Sequence, residues 1–593
     1  MEITRTFDLL ERYRDHFPKE DALAVKQNGK WVKYSTQQYI DYSYHFGLGL
    51  LAKGFIKGDK IASISNNRPE WNFIDMGMAM IGVVHVPIYT SLSTSEYESI
   101  LKHSDARLVF VSDSKLLEKI KPVIDKIGNI EGIFTFDPIE NEKNWLEIIA
   151  LGQENEGDYK EELEKIKSAV KPDDLASLIY TSGTTGTSKG VMLSHTNLVR
   201  NFLAAAEIFN MKPEQKYLSI LPLCHVGGRM GNYQTQYSGC GIYYAENMGT
   251  IAAEMRDIKP HGFDAVPRIL EKIFDTIIAK GKKLTGIKKA IFFWAVKIGL
   301  KYKPIGESSL LYKMKLRIAD KLIFSKWREA IGGNIELVGC GGAALQPRIE
   351  RIFWAAGIKI LNMYGLTETS PIITINRKNK PDMRLGSVGS IITGVEVKIA
   401  DDGEILCKGH NVMMGYYKNP ELTKKAFTDE GWFCTGDIGI MEDNKFLKVT
   451  DRKKEIFKLS TGKYIVPQVI ENKFKESLFI EQIMVIGEHE KFASALIAPD
   501  YAYIREWCNA NNITFSDNSE LLDNTQFMDA FKKEMQKYNE VISDFERINR
   551  FRLVGDVWSP ATGELSPTLK MKRKIIAEKY QDLIDQIYSK QAD

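Results

Sequence analysis

The 593-residue sequence is poor in cysteine, with six residues (Cys224, Cys240, Cys340, Cys407, Cys434 and Cys508), none in a CxxC pair or at a metal-ligand spacing. That excludes a disulfide scaffold and a thiolate metal centre, and predicts reduced thiols that serve packing in a cytosolic protein. A long apolar run is also missing. The nearest approach, Ala290 to Leu300, is short and interrupted by Lys297, so a membrane can be touched but not crossed. The opening MEITRTFDLLERYRDHF carries charge throughout and has no signal-peptide core, which predicts a cytoplasmic protein. Excess charge of one sign is absent as well: 80 Lys+Arg against 77 Asp+Glu leave +3, which argues against nucleic acid as a partner. The chain has no internal repeat and no low-complexity tract.

What is present alternates. LAVK and WVKYS flank Asn28-Gly29, two residues that tolerate positive φ, which predicts an opening hairpin. Ser35 with Gln38 makes a capping box for a helix ending near Gly54, and the strand IASIS follows. A helix over PEWNFIDMGMAMIG, a strand at VVHVPIY, a helix opened by Ser93 and Glu96, and a strand at ARLVFVS continue the pattern. Such βα alternation predicts an α/β fold with a largely parallel sheet covered on both faces. Residues 152–174, rich in Glu, Lys and Asp, read as an exposed helix or linker. Residues 281–326 read as a basic amphipathic helical excursion around Phe292, Phe293 and Trp294. For that aromatic patch, helix packing is the plainer reading and rest on an anionic membrane the alternative. Beyond Asp451 about 140 residues, with the short strands QIMVIG and ASALIAP, suggest a smaller α+β domain.

The most informative segment is YTSGTTGTSKG, Tyr180 to Gly190, where an apolar strand runs into glycines, Ser/Thr hydroxyls and a lysine. Glycines let backbone amides approach an anion, hydroxyls donate to its oxygens or ligate its metal, and Lys189 neutralises charge. It is not a Walker A loop, because Lys189 lies between Ser188 and Gly190 instead of directly after glycine. Further along stand GCGGAAL at Gly339 to Leu345, YGLTET at Tyr364 to Thr369, GWFCTGD ending at Asp437, DRKKEIFK from Asp451, and PTLKMKRK from Pro567 to Lys574.

In this order the motifs resemble those of the adenylate-forming superfamily, which includes acyl-CoA synthetases, adenylation domains of peptide synthetases and beetle luciferases. The resemblance covers essentially the whole chain. It implies a large N-terminal domain of mixed and parallel sheets flanked by helices (residues 1–451) and a smaller mobile α+β C-terminal domain (residues 452–593). It also implies an ATP and AMP site built from Thr181, Ser182, Gly183, Thr184, Thr185, Gly186, Lys189, Gly341, Gly342, Ala343, Tyr364, Gly365, Thr367, Asp437 and Arg452. Within that site Tyr364 offers an aromatic face to adenine, Thr367 a hydroxyl to the α-phosphate, and Asp437 a carboxylate for both ribose hydroxyls. Glu368, with Thr181, supplies hard oxygen ligands for Mg²⁺. Lys570 is the cation that bridges a carboxylate and the α-phosphate as charge builds up between them, and Lys454 occupies the hinge position.

Subfamily features point to the acid. LPLCHVGGR at Leu221 to Arg229, VPRILEKIFD at Val266 to Asp275 and FIEQIMVIGEH at Phe479 to His489 resemble long-chain fatty acyl-CoA synthetases, with His225 near the acyl carboxylate. The aromatic gate of some members does not carry over, because Gly227, Gly228 and Arg229 stand there. The resemblance therefore implies a long-chain fatty acid–CoA ligase using ATP, Mg²⁺ and CoA. The alternatives are an acyl-AMP ligase loading a carrier protein and a non-catalytic lipid- or nucleotide-binding scaffold.

Overall fold

The computed structural model describes residues 2–182, 188–304, 309–379, 381–566 and 569–589. The chain forms two compact units: Met1–Lys398, Leu406–Thr435 and Glu442–Leu447 make the first, and Ile399–Ile405, Gly436–Met441 and Lys448–Asp593 the second.

The first unit is built on two sheets. Its seven-stranded sheet runs in the order Gly415–Tyr416, Ser188–Ser194, Leu175–Ser182, Val84–Ile88, Lys60–Ile64, Ala106–Val111, Gly132–Thr135. The central strands pair in parallel, as the alternation predicts, while Leu175–Ser182 and Ser188–Ser194 form an antiparallel hairpin. The nine-stranded sheet contains a parallel block of Lys359–Gly365, Leu337–Cys340, Gly262–Ala265, Lys216–Ser219, Gly241–Tyr244 and Leu23–Gln27. At one edge sits the expected hairpin, Leu23–Gln27 against Lys30–Tyr34, turned by Asn28 (φ 50°) and Gly29 (φ 78°). Both capping boxes form: Ser35 with Gln38 opens Thr36–Ala52, and Ser93 with Glu96 opens Thr94–Ser104. The helix Pro69–Met80 is buried at every position and packs against strands of both sheets, which explains its apolar residues all round.

Residues 152–174 prove mainly helical, with Glu156–Ala169 burying only Leu163. The excursion is helical too, in Gly286–Gly299, Leu310–Ala319, a π-helical turn at Asp320–Phe324, and Ser325–Ala330. Its aromatic patch turns inward. Phe292 is buried, its ring 5.2 Å from Phe293 and 6.1 Å from Trp327, so helix packing is the reading that holds. Among the described residues no helix is long and apolar enough to cross a membrane.

The second unit contains a three-stranded sheet, Ile480–Ile486 antiparallel to Ser494–Pro499, which pairs in parallel with Arg550–Leu553. One face packs on Tyr501–Ala510 and Thr525–Asn539 through residues such as Ile504, Phe527 and Phe531. The other carries a separate core of Met484, Leu496, Trp558 and Ile576. Five of the six cysteines are buried, and burial pushes their thiols up, Cys240 and Cys407 to about 12.

Candidate active site

The strand hairpin that carries the glycine-rich segment sets Thr181 directly opposite Lys189 in its antiparallel register. Gly183, Thr184, Thr185 and Gly186 lie outside the described residues, as does the side chain of Ser182. What surrounds their two flanks is clear. The short strand Gly415–Tyr416 pairs with Ser188–Ser194, setting Tyr416 opposite Val191, and the Lys189 Nζ lies 5.3 Å from the centre of the Tyr416 ring. The Tyr416 hydroxyl donates to Glu368 Oε1 at 2.9 Å. Burial pushes the Tyr416 hydroxyl well up and the Glu368 carboxylate adds to the shift, so the phenol stays a donor. Thus Tyr416 links the lysine of one motif to the glutamate of another. No motif singles it out; in the sequence it is only a Tyr after Gly415, a glycine that the structure places at φ 140°.

Thr367 and Glu368 sit on a short 3₁₀ turn, Thr367–Thr369, directly after the strand Lys359–Gly365. That turn is pinned from behind. Asn201 accepts from the Ile372 amide at 3.2 Å and donates to the Ile372 carbonyl at 2.9 Å, while the Met413 amide donates to the Glu368 carbonyl at 2.8 Å. Gly365 has no alternative, because a Cβ there would fall 1.6 Å from the Pro371 carbonyl oxygen. The strand therefore delivers Tyr364 and the turn delivers Glu368 in a fixed relation. Glu368 and Thr181 are hard oxygen donors of the type Mg²⁺ takes. Among the described residues no group of three or more His, Cys, Asp or Glu could hold a metal alone. The remaining ligands of such an ion would come from nucleotide phosphates and water, the common arrangement at nucleotide sites.

Gly341, Gly342 and Ala343 follow the parallel strand Leu337–Cys340, at the strand end where open α/β sheets bind ligands. A Cβ at Gly341 would meet the Met363 side chain at 2.9 Å, and Gly342 has φ 84°. Gly342 and Ala343 are exposed there.

His225 caps the helix Val226–Tyr237: its Nδ1 accepts from the Gly227 amide at 3.0 Å, which leaves the proton of the neutral ring on Nε2. The Gly-Gly-Arg that replaces an aromatic gate also has a structural cause. A Cβ at Gly228 would lie 2.3 Å from the Pro222 carbonyl oxygen. Arg229 turns into the interior, 2% exposed, and donates to Asp75 at 2.5 Å, Ser177 at 2.5 Å and Tyr233 at 2.8 Å. His85 completes the network against Asp75 at 2.6 Å, and the Tyr233 hydroxyl donates to the same carboxylate. Burial pushes Asp75 up, but Arg229, then His85 and Tyr233, outweigh it and hold the carboxyl below its ordinary range. Burial also pushes His85 down, which keeps its ring neutral.

In the second unit, Asp437 and Arg452 come together, Arg452 Nε lying 3.4 Å from Asp437 Oδ1. Asp437 is buried and follows Gly436, whose φ is 73° and whose amide donates to Glu404 at 2.9 Å. Lys454 is exposed in the turn after the strand Phe446–Arg452, where the Glu455 amide donates to the Arg452 carbonyl at 2.9 Å. Lys570 stands exposed, with its backbone paired to Ser566. Its amide donates to Ser566 Oγ at 3.0 Å, its carbonyl accepts from the Ser566 amide at 2.7 Å, and Leu565 bridges Met571 beneath. Three residues on, Arg573 is tied to Glu455 at 3.0 Å and to Glu471 at 2.7 Å. The basic run thus divides between a structural arginine and an exposed lysine.

What the first unit gathers around Tyr416 suits an enzyme that handles the phosphates of a nucleotide. Comparison with known proteins gives the family: the chain belongs to the AMP-binding enzymes, whose family pattern matches residues 10–417, with the AMP-binding enzyme C-terminal domain over residues 454–592. It is 31% identical to the long-chain-fatty-acid–CoA ligase FadD15 of Mycobacterium bovis over 95% of this chain and 94% of that one. It is 30% identical to long-chain-fatty-acid–CoA ligase 5 of Rattus norvegicus over 96% of this chain and 87% of that one. Among solved structures the fold matches the adenylation domain of a carboxylate reductase from Mycobacterium chelonae, with TM-score 0.77 and 20% identity over 99% of this chain and 91% of that one. It also matches the anthranilate CoA ligase AuaEII in complex with anthranoyl-AMP, with TM-score 0.72 and 18% identity over 98% of each chain.

Proposed function

We propose that the chain is a long-chain fatty acid–CoA ligase. A fatty carboxylate attacks the α-phosphorus of ATP, forming the acyl–phosphate bond and releasing pyrophosphate, and the CoA thiol then takes the acyl group and releases AMP. The carrying observation is identity of about 30% to ligases of this name over nearly the full length of the chain, and the contact of Tyr416 with Glu368 and Lys189 supports it.

Each residue has a role in this reading. Lys189 and the glycine-rich segment, Ser182 to Gly186, hold the ATP phosphates. Glu368 and Thr181 ligate Mg²⁺, which supplies charge neutralisation at the phosphates when bound. Tyr364, with Gly341, Gly342 and Ala343, receives adenine; Thr367 contacts the α-phosphate; Asp437 and Arg452 take the ribose. His225 orients the acyl carboxylate through Nε2. Residues 452–593 act as the mobile domain, turning at Lys454 and carrying Lys570, the cation for the first half-reaction. Peripheral contact with a membrane, where fatty acids partition, belongs to the same reading.

The test is exchange of labelled pyrophosphate into ATP with a panel of fatty acids from short to very long, followed by thioester formation with CoA or a carrier protein as acceptor. Exchange that peaks with long acids and product on CoA is the expected result. Exchange with no acid would overturn the ligase, and acyl transfer to the carrier alone would move the acceptor from CoA to protein.

A further inference from the structure

We propose that the helical face of Leu310, Leu311, Met314, Ile318 and Leu322 docks on the surface of an anionic lipid bilayer. All five side chains are between 41% and 83% exposed. At about 100° per residue, Leu310, Leu311, Met314 and Ile318 fall within one quarter to one third of the helix circumference. An uninterrupted α-helix would place Leu322 at the edge of that face, about 40° round from Ile318. The π-helical turn at Asp320–Phe324 has more residues per turn and aligns Leu322 more closely beneath Ile318. The opposite side holds the helix down: Ala319, Phe324 and Trp327 are buried, and the Tyr312 hydroxyl donates to the Ile298 carbonyl at 3.0 Å. The exposed leucines are therefore not a core stripe waiting to pack within this unit.

Charge decides the occupant. Lys313, Arg317 and Lys321 project along one edge of the stripe and Lys315 along the other, with Lys326 one turn further on. Five basic side chains between 310 and 326 stand against one carboxylate, Asp320, which already pairs with Arg328 at 2.6 Å. Among the described residues, Lys313, Lys315, Arg317 and Lys321 have no ion-pair partner. The rest of the chain is close to balanced, so the basic density is local. A second copy of this face would bring lysines against lysines. An anionic bilayer offers both what the stripe lacks and what its edges need: a hydrocarbon boundary for the leucines and phosphates for the lysines. The choice of lipid as partner rests on the fatty-acid reading of the site, since a long-chain acid is itself dissolved in the bilayer.

The experiment uses the full chain with phosphatidylcholine vesicles, with and without phosphatidylglycerol, read by co-sedimentation. Wild-type protein should bind the anionic vesicles and lose them with added salt. Both L310S/L311S/M314S and K313E/R317E/K321E should weaken binding by about tenfold or more. Because these side chains are exposed, pyrophosphate exchange with a water-soluble acid should be unchanged and reports that the variants are folded. Absence of wild-type binding overturns the proposal, as does undiminished binding by both variants. A concentration-dependent dimer abolished by L310S/L311S/M314S would also overturn it by assigning the face to a second copy. Vesicle binding that follows expectation while exchange fails with every acid would remove the ligase reading and leave the surface standing.

Discussion

Arg229 in the first unit and Lys570 in the second are both cations on hydrogen-bonded backbone, yet Arg229 is 2% exposed and Lys570 stands in solvent. Arg229 is surrounded by Asp75, Ser177 and Tyr233, and its charge is consumed by holding a helix whose first residue is capped by His225. The clamp of Ser566 on both the amide and carbonyl of Lys570 fixes only the root of that side chain. A sealed cation sets geometry and cannot meet a reactant. An exposed one on a fixed root can. The loss of each should therefore read in a different currency.

The largest effect is expected from Arg229→Met, which leaves Asp75 buried without its main partner. A loss of about 3–5 kcal/mol in unfolding free energy is expected from breaking a buried pair on one side, measured by denaturant titration. Adding Asp75→Asn should restore part of it, and additivity of the two losses would break the account of a coupled network. Next comes Lys570→Ala, expected to slow adenylate formation by on the order of 100-fold or more, with no change in unfolding midpoint. Thioester formation from supplied acyl adenylate should survive, and equal slowing of both half-reactions would remove Lys570 from its role.

The same contrast extends to carboxyl groups. Glu350 is buried, accepting from the Gly386 amide at 2.8 Å, and burial pushes it up to about 8. The folded chain keeps that proton after the unfolded chain has lost it. Stability from this group is therefore full below the ordinary carboxyl range and falls as pH rises through about 8. The smallest effect follows. Between pH 5 and 8 wild-type should lose a few degrees more in Tm than Glu350→Gln, on a scale of about 1 °C per kcal/mol for a unit of this size. Parallel pH profiles for the two proteins would show Glu350 ionised in the fold.

Much of this fold is legible in the chain because its signals are local. Asn28-Gly29 turns a hairpin, Ser35 and Ser93 open helices with their own third neighbours, and an apolar strand precedes the glycine-rich segment. What escapes is contact between distant positions. Nothing near Glu368 predicts that Tyr416 donates to it, and nothing near Arg229 announces Asp75, 154 residues away. In residues 281–326, read as helical and found so, it is the choice of exposed face that escapes. Apolar residues at four-residue spacing read alike whether they face a core or solvent, and in this chain the aromatic cluster took the inside while the Leu310 to Leu322 stripe stayed out.

The cysteines acquire a meaning from the chemistry. An acyl adenylate is a mixed anhydride, open to attack by an exposed thiolate. Five of the six thiols of this chain are buried, and burial favours their protonated form. A chain that makes such an electrophile thus offers it little exposed nucleophilic sulfur of its own.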